Sequence, residues 1–265
     1  MRRVFEVKGR PADHPLIVHL ASASELEAWA ADVPPSAARL AATCWPGPLT
    51  VLVPRAAHVL DIVTGGRDTV GLRVPAHPLT LDLLARFGGG LAAPSANRFG
   101  RVSPTTAEHV RRDLGSSVDV ILDGGPCPIG VESTIVDCTV SPAQVLRPGG
   151  IPDEQIAALL DGALDDSSGP SRAPGMLAAH YAPRCRVVLA SSVAEASAVA
   201  ASLDGRVDVL DGTADLAAYA HSLYASLRDA DDRGLDVLVA VLPPPAGLGH
   251  AIRDRLEKAA AGSGG

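Results

Sequence analysis

Aromatic residues are scarce in this chain of 265 residues: Phe, Trp and Tyr make up only 3%, so any core must be built from Ala, Val and Leu. Lysine is scarcer. Of 23 basic residues only Lys8 and Lys258 are Lys, and every other one is Arg. No uncharged apolar run reaches the roughly 18 residues of a membrane span. The opening MRRVFEVKGRP has no apolar h-region and does not read as a signal peptide. Cys44, Cys127, Cys138 and Cys185 form no CxxC pair and have no His at zinc-finger spacing, which points to reduced structural thiols in a cytoplasmic protein. There is no GxxxxGK[ST], no GxGxxG opening a helix after a strand, and no HExxH. Any phosphate chemistry must therefore use dispersed side chains.

What is present supports a folded protein of one large or two modest domains, with 47% hydrophobic residues. A net charge of −7 argues against a broad nucleic-acid surface, so no direct nucleic-acid contact is expected, while local basic pockets stay open. Hydrophobic alternation predicts strands at 16–20, 49–55, 69–75, 118–123, 133–138 and 143–148. Amphipathic spacing predicts helices over 22–33, 36–43, 77–88 and 151–164. Another helix follows SPTT, capped by Ser103 with Pro104 at its first position or by a Thr105–Glu108 capping box. DDSSGPSRAPGM has no periodicity and reads as a linker. After it, strands and helices alternate as βαβαβα, with Leu216, Ala220, Leu223, Leu227 and Ala230 on one face of the middle helix.

Candidate site residues fall at strand ends and loops. Lys8 and Arg10 share one loop, and Arg73 ends a strand before Pro75. Ser95 and Asn97 follow a strand in LAAPSANRFGRVSPTT, Ser133 and Thr134 begin another, and Arg147 precedes Pro148-Gly149-Gly150. Taken singly, each reads more readily as a turn or surface residue. Two or three cations converging on a triphosphate would stabilise transferring charge without a protein nucleophile. Arg98 and Arg101 read as solvated surface, His19 as a strand residue among apolar neighbours, and His180 and Tyr181 as residues able to pin the linker.

In order, KGRPADHPLIVHL, CWPGPLTVLV, VGLRVPAHP, APSANRFGRVSPTTAEHV, DGGPCPIGVESTIVDC, VLRPGGI and APGMLAAHYAPR resemble the threonylcarbamoyl-adenylate synthase family in its long form. The resemblance runs from about Val4 to the C-terminus. It implies an α/β protein with a twisted mixed-sheet YrdC-like catalytic domain at 1–163, a linker at 164–184 and a small Rossmann-like domain at 185–265. It also implies that Lys8 and Arg10 are catalytic, and that Lys8, Arg10, Ser95, Asn97, Ser133 and Arg147 hold ATP. By the same resemblance His19, Arg73 and Thr134 lie nearer threonine, Tyr181 helps close the cleft, and the protein itself supplies no metal ligands. The implied substrates are L-threonine, bicarbonate or CO₂, and ATP with Mg²⁺, and the product passes to a separate tRNA threonylcarbamoyl transferase.

The family pattern carries a further strand and a Pro-Thr-acidic-Thr-x-Tyr-Gly stretch ahead of the Lys8 loop, which residues 1–7 do not contain. The expectation for residues 1–265 is weak ATP binding with little threonine-dependent pyrophosphate release. An RNA-binding module of the same fold and an inactive remnant stay open as alternatives. A hydrogenase-maturation carbamoyltransferase shares the catalytic fold but not the C-terminal βαβαβα pattern.

Overall fold

The computed structural model describes residues 1–166, 172–176 and 178–263. The linker read over 164–184 thus lies partly outside the described residues, at 167–171 and 177. Among the described residues no helix is long and apolar enough to cross a membrane. The chain forms two compact units, residues 1–94 with 132–176, and 95–131 with 177–265.

The first unit is built on seven strands in the order β4-β1-β3-β2-β5-β6-β7. These are β1 (Ile17–His19), β2 (Leu49–Pro54), β3 (Thr69–Arg73), β4 (Leu91–Ala93), β5 (Thr134–Asp137), β6 (Ala143–Arg147) and β7 (Leu164–Asp166). Pairings β1–β3, β2–β5 and β6–β7 are parallel, while β1–β4, β2–β3 and β5–β6 are antiparallel. The helices are α1 (Arg2–Lys8), α2 (Leu26–Trp29), α3 (Pro35–Cys44), α4 (Asp61–Thr64), α5 (Pro78–Phe87) and α7 (Asp153–Leu159).

Strand parity makes the two faces of this sheet unequal. Val18, Leu72, Val51 and Val136 share one face and belong to a large core cluster that includes Leu40 and Ala41 of α3 and Ile156 of α7. The opposite face carries a much smaller apolar cluster of Ile17, Leu52, Ile135 and Leu146, against which Ala173 and Met176 pack. Gly71 lies in its floor, where an added Cβ would come within 3.3 Å of the Thr50 methyl. This face is thin, and it is lined by polar groups.

Three local readings are corrected by the fold. The span 22–33 holds only a 3₁₀ turn at Ala23–Glu25, capped by Ser22, and the single turn α2. Leu164–Asp166, read as helix end and linker start, is the edge strand β7, paired with Ala143–Val145. VDVILD at 118–123 forms no strand: Val120 and Leu122 are 74% and 54% exposed, so no pairing partner rewards its β-propensity.

The second unit contains α6 (Ala107–Leu114) and a three-stranded parallel sheet in the order β8-β10-β9. Its strands are β8 (Arg186–Ala190), β9 (Val207–Leu210) and β10 (Val237–Val241), alternating with α8 (Val193–Ser202), α9 (Leu216–Asp232) and α10 (Leu248–Gly262). The expected βαβαβα order is present, and Ala220, Leu223, Leu227 and Ala230 of α9 are buried. The cap of α6 is Thr106, which accepts from His109 N–H at 3.2 Å, in place of Ser103 or Thr105.

Residues 95–131 fall inside the 1–163 span expected for the first domain, and among the compact units they pack into the second. Val102 and Val131 share its core with Tyr219, Leu223 and Leu227. Arg228 of α9 is buried and donates to the carbonyls of Val102 and Ser103 and, at 3.0 and 2.6 Å, to both Asp113 carboxylate oxygens. Arg112 pairs with Asp232 at 2.8 Å, and Ala182 N–H donates to Gly100 O at 2.9 Å. Compositional change could not show this, because the segment's partners lie about 100 residues away in sequence.

Truncating Arg228 removes one partner of a buried ion pair and orphans two carbonyls. Arg228→Ala is expected to destabilise the second unit by about 3 kcal/mol or more, read by urea unfolding. Arg228→Met with Asp113→Asn should recover part of that loss. Unchanged stability in Arg228→Ala would refute the clamp.

Candidate functional site

Strand register gathers several of the predicted residues into one row on the thin face. His19 pairs with Arg73, Thr50 with Ile135, and Ile135 with Arg147. Leu72 pairs with Val51, which sets Arg73 beside Thr50. The row therefore runs His19, Arg73, Thr50, Ile135, Arg147 across four neighbouring pairings.

At its far end the polar groups interlock. Ser133 Oγ and Thr50 Oγ1 are 2.8 Å apart, and Arg147 Nη2 donates to Ser133 Oγ at 3.0 Å and to its carbonyl at 2.8 Å. Arg147 Nε adds a bond to the same carbonyl, and Nη1 reaches Pro174 O at 3.2 Å. The turn after Arg147 makes this corner possible. A Cβ on Gly149 would lie 2.3 Å from Thr134 N, so only glycine lets the loop close on the start of β5. Thr134 has the opposite parity. Its hydroxyl donates to Ile151 O at 2.7 Å and accepts from Ile151 N–H at 3.0 Å, on the helix-covered side. It shapes the corner from behind.

Arg73 Nε donates to Gly47 O at 3.0 Å, which holds its guanidinium at the C-terminal end of β3. His19 Nδ1 lies 3.3 Å from Leu91 O. A carbonyl only accepts, so Nδ1 carries the proton in this contact. Burial first, and then the positive charge of Arg73, lower the His19 pKa to about 4. The imidazole is neutral at physiological pH.

Lys8 ends α1 and is 5% exposed, which is unusual for a lysine. Gly9 takes the left-handed conformation that stops the helix, and Arg10 N–H then donates to Phe5 O at 3.0 Å. Arg10 Nη2 donates to Pro15 O at 2.9 Å and fixes the loop leading into β1. Arg10 is thus placed by the backbone around it.

In the second unit Asn97 is 1% exposed, and its side-chain nitrogen donates to the carbonyls of Arg98 and Arg101 at 3.0 and 2.7 Å. The amide closes a tight loop directly after Ser95. Tyr181 is 1% exposed and has φ of 60°, a left-handed conformation that a tyrosine adopts at a cost of about 1 kcal/mol or more. Its ring packs on His180 and Tyr224, with the Arg255 guanidinium 5.3 Å from its centroid. These contacts fit the packing role for Tyr181.

Sequence reading passed over three residues of the thin face. Thr50 was legible as a hydroxyl inside the apolar strand LTVLVP. Buried Asp137 accepts from Thr139 and lies 3.3 Å from Arg172 Nε, while Arg172 Nη2 donates to Gln144 Oε1 at 2.8 Å. Nothing in the sequence joins Arg172 to Asp137; the pairing exists only because residues 172–176 lie against this face. Among the described residues no group of three or more His, Cys, Asp or Glu could hold a metal ion.

The first unit is an α/β scaffold whose thin sheet face carries cations and hydroxyls, fit for an anionic ligand held by dispersed side chains. Residues 1–149 match the family model described as "Telomere recombination", and residues 151–261 match "Threonylcarbamoyl-AMP synthase, C-terminal domain". The chain belongs to the threonylcarbamoyl-AMP synthase family. It is 39% identical to threonylcarbamoyl-AMP synthase of Pyrococcus abyssi, covering 98% of this chain and 84% of the relative. Identity to threonylcarbamoyl-AMP synthase of Bacillus subtilis is also 39%, over 99% of this chain and 84% of that one. A crystal structure of P. abyssi Sua5 complexed with L-threonine superposes with a TM-score of 0.92 at 38% identity, covering 99% of this chain and 84% of the other. The two family models meet at residues 149–151, a boundary distinct from the compact units, because 95–131 folds with the later residues.

The depressed His19 pKa has a measurable consequence. The unfolded chain takes up this proton as pH falls below 6.5, whereas the folded protein resists until about 4. Stability attributable to His19 is complete above pH 6.5 and is lost as pH falls through about 4, by on the order of 3 kcal/mol. His19→Gln should flatten that part of the stability–pH curve in chemical denaturation. Equal acid sensitivity in the two proteins would show that His19 does not carry it.

Proposed function

We propose that this chain is an L-threonylcarbamoyladenylate synthase that joins L-threonine, bicarbonate or CO₂, and ATP into threonylcarbamoyl-AMP, with pyrophosphate as the other product. The observation that carries the reading is the row from His19 and Arg73 to Ser133 and Arg147 on one sheet face, in a chain that covers 84% of a relative of that name. The catalytic module is taken as residues 1–163, followed by the linker 164–184 and the Rossmann-like module 185–265.

The threonine amine attacks CO₂ and loses a proton, giving a carbamate. A carbamate oxygen then attacks the α-phosphorus, and the bond from that phosphorus to the bridging oxygen of the β-phosphate breaks, so pyrophosphate leaves with the electron pair. No covalent enzyme intermediate is needed, and catalysis is positioning plus electrostatics. Arg73 pairs with the threonine carboxylate, and neutral His19 lies near threonine. Thr134 supports this side by holding the corner in shape. Lys8 and Arg10 offset phosphate charge, while Ser133 and Arg147 hold the nucleotide together with Ser95 and Asn97. Tyr181 anchors the segment that closes the cleft. Magnesium enters as part of the substrate MgATP, held by phosphate oxygens, as is usual for a hard cation that keeps its waters. The reaction is assigned to the cytoplasm, and its product to a separate transferase that modifies tRNA.

Lys8 gives the sharpest test. A compact ammonium placed among phosphates is not replaced by alanine, nor well by the planar fork of arginine. In calorimetric titration with MgATP, Lys8→Ala should weaken binding about tenfold or more, the loss of one buried charge-assisted contact. Lys8→Arg should fall between the two. Threonine- and bicarbonate-dependent pyrophosphate release, measured in a form that carries the family's N-terminal segment, is the second readout and should disappear with Lys8→Ala. Wild-type ATP affinity in Lys8→Ala would overturn the assignment.

A further inference from the structure

The second unit contains a pocket of about 500 Å³ that the proposed reaction does not use. Five arginines and three aspartates line it, so its formal charge is positive. The three carboxylates are already engaged. Asp113 is held by Arg228, Asp232 by Arg112, and Asp231 Oδ1 accepts the backbone N–H groups of Arg184 and Cys185 at 2.7 and 3.0 Å. The guanidinium groups of Arg101 and Arg184 make no hydrogen bond or ion pair among the described residues, and both side chains are exposed on the wall. Arg98 lines the same wall.

The backbone beneath these arginines is firmly built. Asn97 ties the carbonyls of residues 98 and 101, residue 101 bridges residue 182 in parallel, and Arg228 holds the carbonyls of 102 and 103. Two guanidinium forks are thus presented from a braced loop and the start of the C-terminal sheet unit. Planar forks match phosphate oxygens in pairs, and the pocket is at the small-molecule end of the size range, too confined for an extended polymer groove.

We propose that this pocket of the second unit is a binding site for a small phosphate-bearing anion of diphosphate size, held by Arg101 and Arg184. A free diphosphate and the diphosphate portion of a nucleotide share this chemistry, and the experiment tells them apart.

Inorganic pyrophosphate is titrated calorimetrically, at fixed ionic strength, into the full chain carrying Lys8→Ala, with ADP in a parallel arm. Pyrophosphate should still bind the Lys8→Ala protein. Adding Arg101→Glu and Arg184→Glu should weaken that binding about tenfold or more, as expected on removing two charged donors. The milder Arg101→Gln/Arg184→Gln pair should fall in the same direction with an unchanged melting temperature, which separates loss of binding from misfolding. Binding of pyrophosphate but not ADP identifies the free anion; binding of both identifies the shared group. Absence of pyrophosphate binding to the Lys8→Ala chain, or binding indifferent to both arginine pairs, overturns the proposal. The function proposed above is judged separately, by the effect of Lys8→Ala on ATP.

Discussion

The inequality of the two faces of the seven-stranded sheet is the constraint from which the rest follows. One face is packed with aliphatic side chains against α3 and α7 and supplies the burial that holds the unit together. That frees the other face to carry Thr50, Ser133, Arg73 and Arg147, groups that would be costly inside a closed apolar core. Strand parity enforces the separation. A one-residue slip of β5 would send Ser133 and Ile135 into the core and Val136 toward the polar side.

In the first unit several guanidinium groups are oriented by backbone carbonyls. Arg10 is held by Pro15 O, Arg73 by Gly47 O, and Arg147 by Ser133 O and Pro174 O. A neutral acceptor orients a guanidinium without itself cancelling its charge. This is the electrostatic requirement for binding phosphates and carboxylates in a chain of net charge −7. The contrast with the second unit is instructive, because there Arg228 and Arg112 are paired with aspartates and serve structure.

Much of the site was legible because the informative residues stand out against composition. One lysine beside Gly9 and Arg10, a hydroxyl opening a buried strand, and an arginine before Pro-Gly-Gly are all visible in one dimension. Other features were not. Thr134 could be placed near the site but not on its rear face, since that depends on the register of β5 against β2. VDVILD has strong β-propensity and still forms no strand, because propensity cannot supply a partner. That the Tyr181 ring packs in the core of the second unit, beside Tyr224, could not be read from HYAP alone.

The sequence by itself determined the element types of the βαβαβα half, the positions of Lys8, Ser95 and Arg147 at or just beyond the ends of elements, and membership of the threonylcarbamoyl-AMP synthase family. These depend on local periodicity and on short motifs, which act over a few residues. Only the tertiary structure decided that 95–131 belongs with the C-terminal elements, that Arg172 meets Asp137, and that His19 is neutral beside Arg73. Each of those depends on burial and on charges brought together from distant positions. Desolvation and register exist only once the chain has closed on itself.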